Sequence, residues 1–286
     1  MYFPNVITDA TDQLIRLALA EDVGTGDRTT LATIAAGTQC AARVVAKEPL
    51  VLAGCAYAIR VFQHVDPTVR VTQLAQDGDA IASGVDVLTI EGEARSVLTA
   101  ERTALNILQR LTGVATLTRR FVEAIAGSGA RITDTRKTTP GMRAMQKHAV
   151  LAGGGSNHRF GLDSGILIKD NHIAACGSVA AAVSRARLGS PHSLRIEVEV
   201  TDLSELDMAL EAGADIIMLD NMSNDMMREA VARGRRRAQP VLFEASGNLT
   251  LDRVAEVAAT GVDLLSVGAL THSARSADLS LLFEGA

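Results

Sequence analysis

The chain has 286 residues, 47% of them hydrophobic and 21% charged, with a formal net charge of −5. That length supplies one large domain or two moderate ones. The mildly acidic balance and an aromatic content of 3% exclude a general nucleic-acid binder, which needs a broad cationic face and stacking platforms.

With no Trp and 24 Gly, the interior is built from Ala, Val, Leu and Ile, as in layered α/β proteins. Cys40, Cys55 and Cys176 stand far apart without a CxxC spacing. They therefore read as small buried side chains in a reducing compartment rather than a zinc site. The stretch MYFPNVITDATDQL lacks a basic region followed by an apolar one, so no signal peptide is expected. No run reaches the length of a membrane span, and a cytoplasmic protein with no membrane or nucleic-acid partner is expected.

In chain order, the first predicted element is a helix with Thr8 as its N-cap and Leu14, Ile15, Ala18 and Leu19 on one face. Short β-like pieces follow, ARVVAKE, VRVTQLA and VDVLTIEGEAR, separated by turn signals such as DGD and SGV. AGCAYAIRVFQHV, between the first two, reads as a helix. This is an α+β pattern with antiparallel strands. A long helical segment, SVLTAERTALNILQRLTGVATLTRRFVEAIAG, comes next, and Gly113 marks an expected kink or break within it.

Two styles of sequence meet near residue 113, giving an N-terminal domain over 1–113 and a second over 114–270. In the second, six short apolar runs, RITDT, GILIKD, LRIEVEV, DIIMLD, PVLFEAS and DLLSVGAL, alternate with amphipathic segments. Such alternation predicts parallel strands with crossover helices. Six units are fewer than a complete (β/α)₈ barrel requires, so an incomplete TIM-like barrel is expected. An open doubly wound sheet is the alternative, but no GxGxxG follows any run.

Each run starts apolar and ends polar. RITD leads into Arg136 and Lys137, GILI into Lys169 and Asp170, and DIIML into Asp220 and Asn221. PVLFEA carries Glu244 and leads into Ser246-Gly247-Asn248, and DLLSV ends in Gly268. Active sites of α/β sheets lie at the C-terminal strand ends. In RIEVEV, period two places Arg195, Glu197 and Glu199 on one side, lining the barrel, and Ile196, Val198 and Val200 on the other. Arg195 and Glu197 read equally as an internal ion pair or as functional groups; Glu199, nearest the rim, is the functional choice.

The loop AGGGSNHRFG adds three glycines that would let backbone approach a ligand, followed by His158 and Arg159. Arg136, Lys137, His158, Arg159 and Lys169 then form a cationic half-site. Glu199 and Asp220 form an acidic half able to hold Mg²⁺ through oxygen ligands. Guanidinium groups grip planar anions bidentately and ammonium groups act as point charges. The combination suits a substrate with carboxylates and a diphosphate, and points toward transfer involving a phosphorylated sugar. The RGRRR run at Arg233–Arg237 reads as a solvated helix end. His64 and His192 are expected to face water, and His272 to lie near a phosphate without a catalytic role.

The motifs ALAEDVGTGDRT, TAERTALNILQRLTGVAT, DTRKTTPGMR, GGGSNHRFGL, LIKDNH, EVEV, LDN, SGN and SVGALTHS, in this order, closely resemble the quinolinate phosphoribosyltransferases, also called nicotinate-nucleotide pyrophosphorylases (carboxylating). The resemblance runs nearly end to end. It implies an N-terminal α/β sandwich to which the tail, 271–286, returns, and an incomplete barrel. It implies a homodimer in which Arg102 reaches the neighbouring subunit's site. The implied substrates are quinolinate and phosphoribosyl diphosphate, with Mg²⁺, and the products nicotinate mononucleotide, diphosphate and carbon dioxide. By motif, Arg136, His158 and Arg159 would bind the quinolinate carboxylates, with Thr135 beside them. Lys137 and Lys169 would lie between the substrates, and Glu199 and Asp220 would face the ribose hydroxyls and the metal. Ser246-Gly247-Asn248 and Val267-Gly268-Ala269 would receive the phosphate. Met142 and His148 depart from the family pattern at positions not expected to touch chemistry.

Three rivals remain at this point. A ModD-like molybdenum-associated protein would share the fold, but that family lacks the full TRK, NHR and KDNH set present here. A Schiff-base aldolase would use Lys169 or Lys137. A non-catalytic scaffold would leave polar groups at six strand ends unexplained.

Overall fold

The computed structural model describes residues 7–284; the start of the stretch read for a leader and the last two residues of the tail lie outside them. The chain divides into two compact units. One comprises Met1–Arg119, Thr138–Gly154 and Leu270–Ala286, the other Arg120–Lys137 and Gly155–Ala269.

The first unit opens with α1 (Asp9–Val23), where the Thr8 hydroxyl accepts the Thr11 N–H as N-cap. Ile15 is fully buried on its inner face. Then follow α2 (Arg28–Thr33), β1 (Gln39–Ala46), β2 (Leu50–Val51), α3 (Cys55–Val65), β3 (Arg70–Gln73), β4 (Ala80–Ile81), β5 (Asp86–Glu93) and α4 (Ala94–Ala124). The second unit supplies β6 (Arg131–Thr133). The chain then returns to the first for α5 (Arg143–Ala152). The remaining elements of the second unit are β7 (Ile166–Ile168), α6 (Asp170–Cys176), α7 (Val179–Gly189), β8 (Ile196–Val200), α8 (Leu203–Glu211), β9 (Ile216–Asp220), α9 (Asn224–Arg235), β10 (Leu242–Ser246), α10 (Val254–Ala258) and β11 (Leu264–Ser266). The short α11 (Ala269–His272) and β12 (Leu279–Phe283) end the chain.

In the first unit an antiparallel sheet has the order β12-β1-β5-β3, with a separate β2-β4 pair. The tail thus pairs with β1, Val44 opposite Leu281. The core beneath it holds Val44, Leu88, Ile90, Phe62, Leu108 and Leu111, all essentially inaccessible. β2, β4 and α2 were not legible in the sequence, being too short to show a period.

Three expectations are corrected here. First, α4 runs unbroken through Gly113. The glycine is required because a Cβ there would collide with the Arg275 carbonyl oxygen, so it serves close packing rather than a kink. Second, His64 does not face water: its side chain is 13% exposed and pairs with Asp12 at 2.7 Å. Third, of the cysteines only Cys55 is fully buried. His192 is exposed as expected. His148, by contrast, is buried, 2.8 Å from Asp77, with the Tyr57 ring edge against it.

In the second unit all six apolar runs are strands of one parallel sheet, ordered β6-β11-β10-β9-β8-β7. Its edges are β6 and β7, so the barrel is incomplete between them. There the chain lays Ser156 alongside β6: Ser156 N–H donates to Ile132 O, and Asp134 N–H to Ser156 O. Ile196, Val198, Ile217, Leu219, Phe243 and Leu265 are buried within this unit. At the strand starts, Asp215 accepts the Ile196 N–H and Asp263 the Phe243 N–H, each at 2.7 Å, which pins the register of the sheet. The arginine run at the end of α9 is tied down rather than merely solvated. Arg235 pairs with Asp263 and lies over Phe243, and Arg233 pairs with Asp207 and Glu229. Among the described residues no helix is long and apolar enough to cross a membrane.

Candidate active site

At the C-terminal strand ends of the second unit lies a cavity of about 570 Å³. Thr135, Arg136 and Lys137 enter it after β6, Lys169 after β7, Glu199 from β8, Asp220 from the end of β9, and Ser246, Gly247 and Asn248 from β10. His158 and Arg159 enter from the segment beside β6. The structure therefore brings most of the expected site residues to one wall-to-wall space. The exceptions are Arg102, exposed on α4 in the first unit, and Val267, Gly268 and Ala269, which follow β11 outside the cavity lining. Asn221, Ser266, Leu167 and Met218 also line it; the first two end the LDN and DLLS runs, and period two from Glu244 through Ser246 would have placed Glu244 behind them.

Two glycines of the run have a role in packing and turning. A Cβ on Gly153 would collide with the Ala115 carbonyl and Thr118, and Gly154 takes a positive φ of 91° to turn the chain. What the loop delivers is His158 and Arg159. The His158 N–H donates to Asp134 Oδ1 at 2.9 Å, and its ring Nδ1 accepts the Arg159 N–H at 2.8 Å. The Arg159 guanidinium donates to Gly165 O at 3.0 Å. Burial first, then the positive charge of Arg136, draws the Arg159 pKa below its usual value, with Glu197 opposing. A second guanidinium close enough to disfavour the charge on Arg159 makes, with it, a site for a planar dianion.

Across the cavity, Lys169 and Glu199 form an ion pair between the ends of neighbouring strands β7 and β8. Asp220 Oδ2 accepts from the Asn221 amide at 2.8 Å, and the Asn248 amide donates to Asn221 Oδ1 at 3.2 Å. Asn221 and Asn248 hold positive φ values of 52° and 49°, a strained backbone of the kind found at functional rims. Gly247, at φ 95°, has no room for a Cβ, which would strike the Asn221 side chain.

The donor set fits Mg²⁺. Glu199, Asp220, Asn221 and Ser246 offer hard oxygen donors in the cavity lining. With so few protein carboxylates, the remaining ligands would be water and substrate phosphate, the usual arrangement for this ion. Among the described residues, the one group of three metal-capable side chains lies elsewhere, at His158, Glu197 and Glu244.

That group lies deeper in the barrel. His158 Nε2 is 3.1 Å from Glu197 and 3.5 Å from Glu244, whose carboxylate is bonded to the Ser266 hydroxyl. Burial, then the charges of Glu197 and Asp134, pushes the Glu244 carboxyl well above the usual carboxylate range. Of the two readings of Arg195 and Glu197, the internal ion pair is not formed: Glu197 turns inward to His158, while Arg195, one residue before β8, is exposed.

Comparison with known proteins agrees with this geometry. The family model for the quinolinate phosphoribosyl transferase C-terminal domain matches residues 114–282, and the N-terminal domain model matches 27–112. The chain is 47% identical over 276 residues to the nicotinate-nucleotide pyrophosphorylase [carboxylating] of Mycobacterium leprae, covering 96% of this chain and 97% of that one. A probable nicotinate-nucleotide pyrophosphorylase of Bacillus subtilis is 42% identical over 269 residues, covering 94% and 92%. Among solved structures, the nicotinate-nucleotide pyrophosphorylase of Francisella tularensis superposes with a TM-score of 0.93 at 40% identity, covering 98% of each chain.

Proposed function

This chain belongs to the quinolinate phosphoribosyltransferase family, and on that premise we propose how its residues carry out the family's reaction. Quinolinate and phosphoribosyl diphosphate give nicotinate mononucleotide, diphosphate and carbon dioxide, a step in NAD biosynthesis. The observation that supports the assignment is that Arg136 and Arg159 line the same cavity as Glu199, Asp220 and Ser246-Gly247-Asn248.

Arg136 and Arg159 grip the two pyridine carboxylates and so fix which ring position faces the sugar, with Thr135 at the edge of that half. Lys137 and Lys169 lie between the substrates and offset the charge of the departing diphosphate. Glu199 and Asp220 face the ribose hydroxyls and would hold Mg²⁺. Bound there, that ion would neutralise diphosphate oxygens as the C1–O bond breaks. Ser246-Gly247-Asn248 and Val267-Gly268-Ala269 receive the 5′-phosphate through backbone N–H groups.

The ribose C1 develops oxocarbenium character as diphosphate departs, and the pyridine nitrogen attacks from the opposite face. The resulting cationic ring accepts the electron pair released when the carboxylate beside the nitrogen leaves as carbon dioxide, and that ring carbon takes a proton from solvent. The site supplies position and electrostatic support with no covalent nucleophile. Lys169, engaged by Glu199, lends no support to a Schiff-base aldolase. In a homodimer, Arg102 of a second copy would complete the quinolinate half.

The test is direct. The purified protein with quinolinate, phosphoribosyl diphosphate and Mg²⁺ is expected to release nicotinate mononucleotide and carbon dioxide in equal amounts, and to release neither when any one component is withheld. Folded protein that forms no mononucleotide under these conditions overturns the assignment.

A further inference from the structure

His158, which lines the cavity, also has a protein partner at each of its ring nitrogens. Nδ1 accepts the Arg159 N–H at 2.8 Å, which leaves the ring proton on Nε2, and Nε2 faces Glu197 at 3.1 Å and Glu244 at 3.5 Å. The side chains beneath it are fixed in turn: Glu197 and Glu244 are 4% and 1% exposed, and Glu244 is bonded to Ser266. We infer that His158, Glu197 and Glu244 form a bracket that positions Arg159 for the pyridine carboxylate, with the His158 ring acting on the Arg159 backbone as a positioning group.

The placement supports this. A second cavity, of about 400 Å³, opens at the strand starts, where Arg131, Ile166, Ile216 and Leu264 line it. His158 and Arg159 line both cavities, so they stand at the partition between them. A guanidinium at such a partition is aimed by its backbone together with its own contact to the Gly165 carbonyl. The Arg159 backbone is held through the His158 ring, and the ring through two carboxylates that the sheet itself immobilises. Glu197 has an additional hold on Arg159, since its negative charge favours the charged guanidinium. Arrangements of this kind, in which an outer group orients a contacting one, are sensitive to small displacements: a misplacement of about 1 Å can cost on the order of a hundredfold in rate.

The inference rests on the quinolinate reading of the cavity, and the experiment separates the two. Wild type, Glu197→Ala, Glu197→Gln, His158→Gln and Arg159→Ala are compared for the KM of each substrate, together with the doubles that add Glu197→Ala or His158→Gln to Arg159→Ala. Glu197→Ala is expected to raise the quinolinate KM roughly tenfold or more while leaving the phosphoribosyl diphosphate KM within about twofold. Glu197→Gln, whose amide oxygen can still accept from Nε2, is expected to restore most of the loss. In the Arg159→Ala background, neither Glu197→Ala nor His158→Gln should have a further effect on the quinolinate KM. Additive losses in the doubles would overturn the inference, since His158 or Glu197 would then act independently of Arg159. An equal rise in both KM values with a fall in melting temperature would also overturn it, by making the bracket structural only. Should Glu197→Ala fail to fold, Glu197→Gln and His158→Gln carry the same comparison. A wild type inactive with quinolinate would defeat the functional reading itself.

Discussion

Lys169, just past the end of β7, and Glu199, near the end of β8, form an ion pair across neighbouring parallel strands and face one cavity. The pair does two things. It spares the Glu199 carboxylate, 15% exposed, an unpaired charge in a half-closed space, and it keeps the more exposed Lys169 ammonium near where diphosphate would sit. Glu199→Gln is therefore expected to raise the phosphoribosyl diphosphate KM roughly tenfold, the scale of one charge-assisted contact. The quinolinate KM should stay within about twofold. Steady-state kinetics with each substrate varied in turn checks the split; a quinolinate-only defect contradicts the placement of Glu199.

Gly247 is a tight point of the cavity rim, where the phosphate is proposed to bind. Its φ of 95° and the Asn221 side chain beside it leave no room for a methyl group. Gly247→Ala should cost about 1–3 kcal/mol in backbone strain, with the collision adding to it. The expected outcome is a lower melting temperature together with a raised phosphoribosyl diphosphate KM. A variant that matches wild type in both would show that the rim yields freely.

Gly113 tests a different link, from sequence to packing. Gly113→Ala places its methyl group on the Arg275 carbonyl oxygen, which is backbone and cannot swing aside. A loss of at least about 1–3 kcal/mol is expected from overpacking, visible as a melting temperature several degrees lower. Had the glycine been a helix kink, alanine would have straightened and stabilised α4 instead.

Acid stability should depend on Asp77. Burial pushes its carboxyl up, but hydrogen bonds from His148 and from the Gly54 and Cys55 amides outweigh it and leave its pKa below the usual carboxylate value. A depressed folded-state pKa gives stability that is present above the unfolded value, about 3.9, and is lost as pH falls through the folded one. Asp77→Asn should therefore melt below wild type at pH 7, with the two curves converging as the pH drops below about 4. A gap unchanged at low pH would remove Asp77 from that role.

Much of this architecture was legible locally. Runs such as DIIMLD and PVLFEAS state both the strand and its polar end, because a strand buried on both faces must be apolar until it reaches the rim. Hence Arg136, Lys169, Glu199 and Asp220 could be placed in one site from the sequence. What stayed hidden depends on atoms far apart in the chain. The need for Gly113 is set by Arg275, and that for Gly153 by Ala115 and Thr118. The partner of Glu197 is His158 rather than its neighbour Arg195. The grouping of 138–154 with the first unit likewise has no local signal. Period two placed Glu197 on the inward face with Glu199, and carried one unused hint: Glu244 sits two residues before Ser246 and so shares its inward face.

The central claim is that two guanidiniums, Arg136 and Arg159, select a pyridine with two carboxylates. The ratio of kcat/KM for quinolinate to that for nicotinate, which lacks the carboxylate beside the nitrogen, tests it most directly. A site built to bind a charged group rejects the analogue lacking it by roughly 10⁴-fold or more, and a ratio on that order is predicted for wild type, collapsing in Arg136→Ala and Arg159→Ala. Comparable turnover of nicotinate by the wild-type protein would contradict the account.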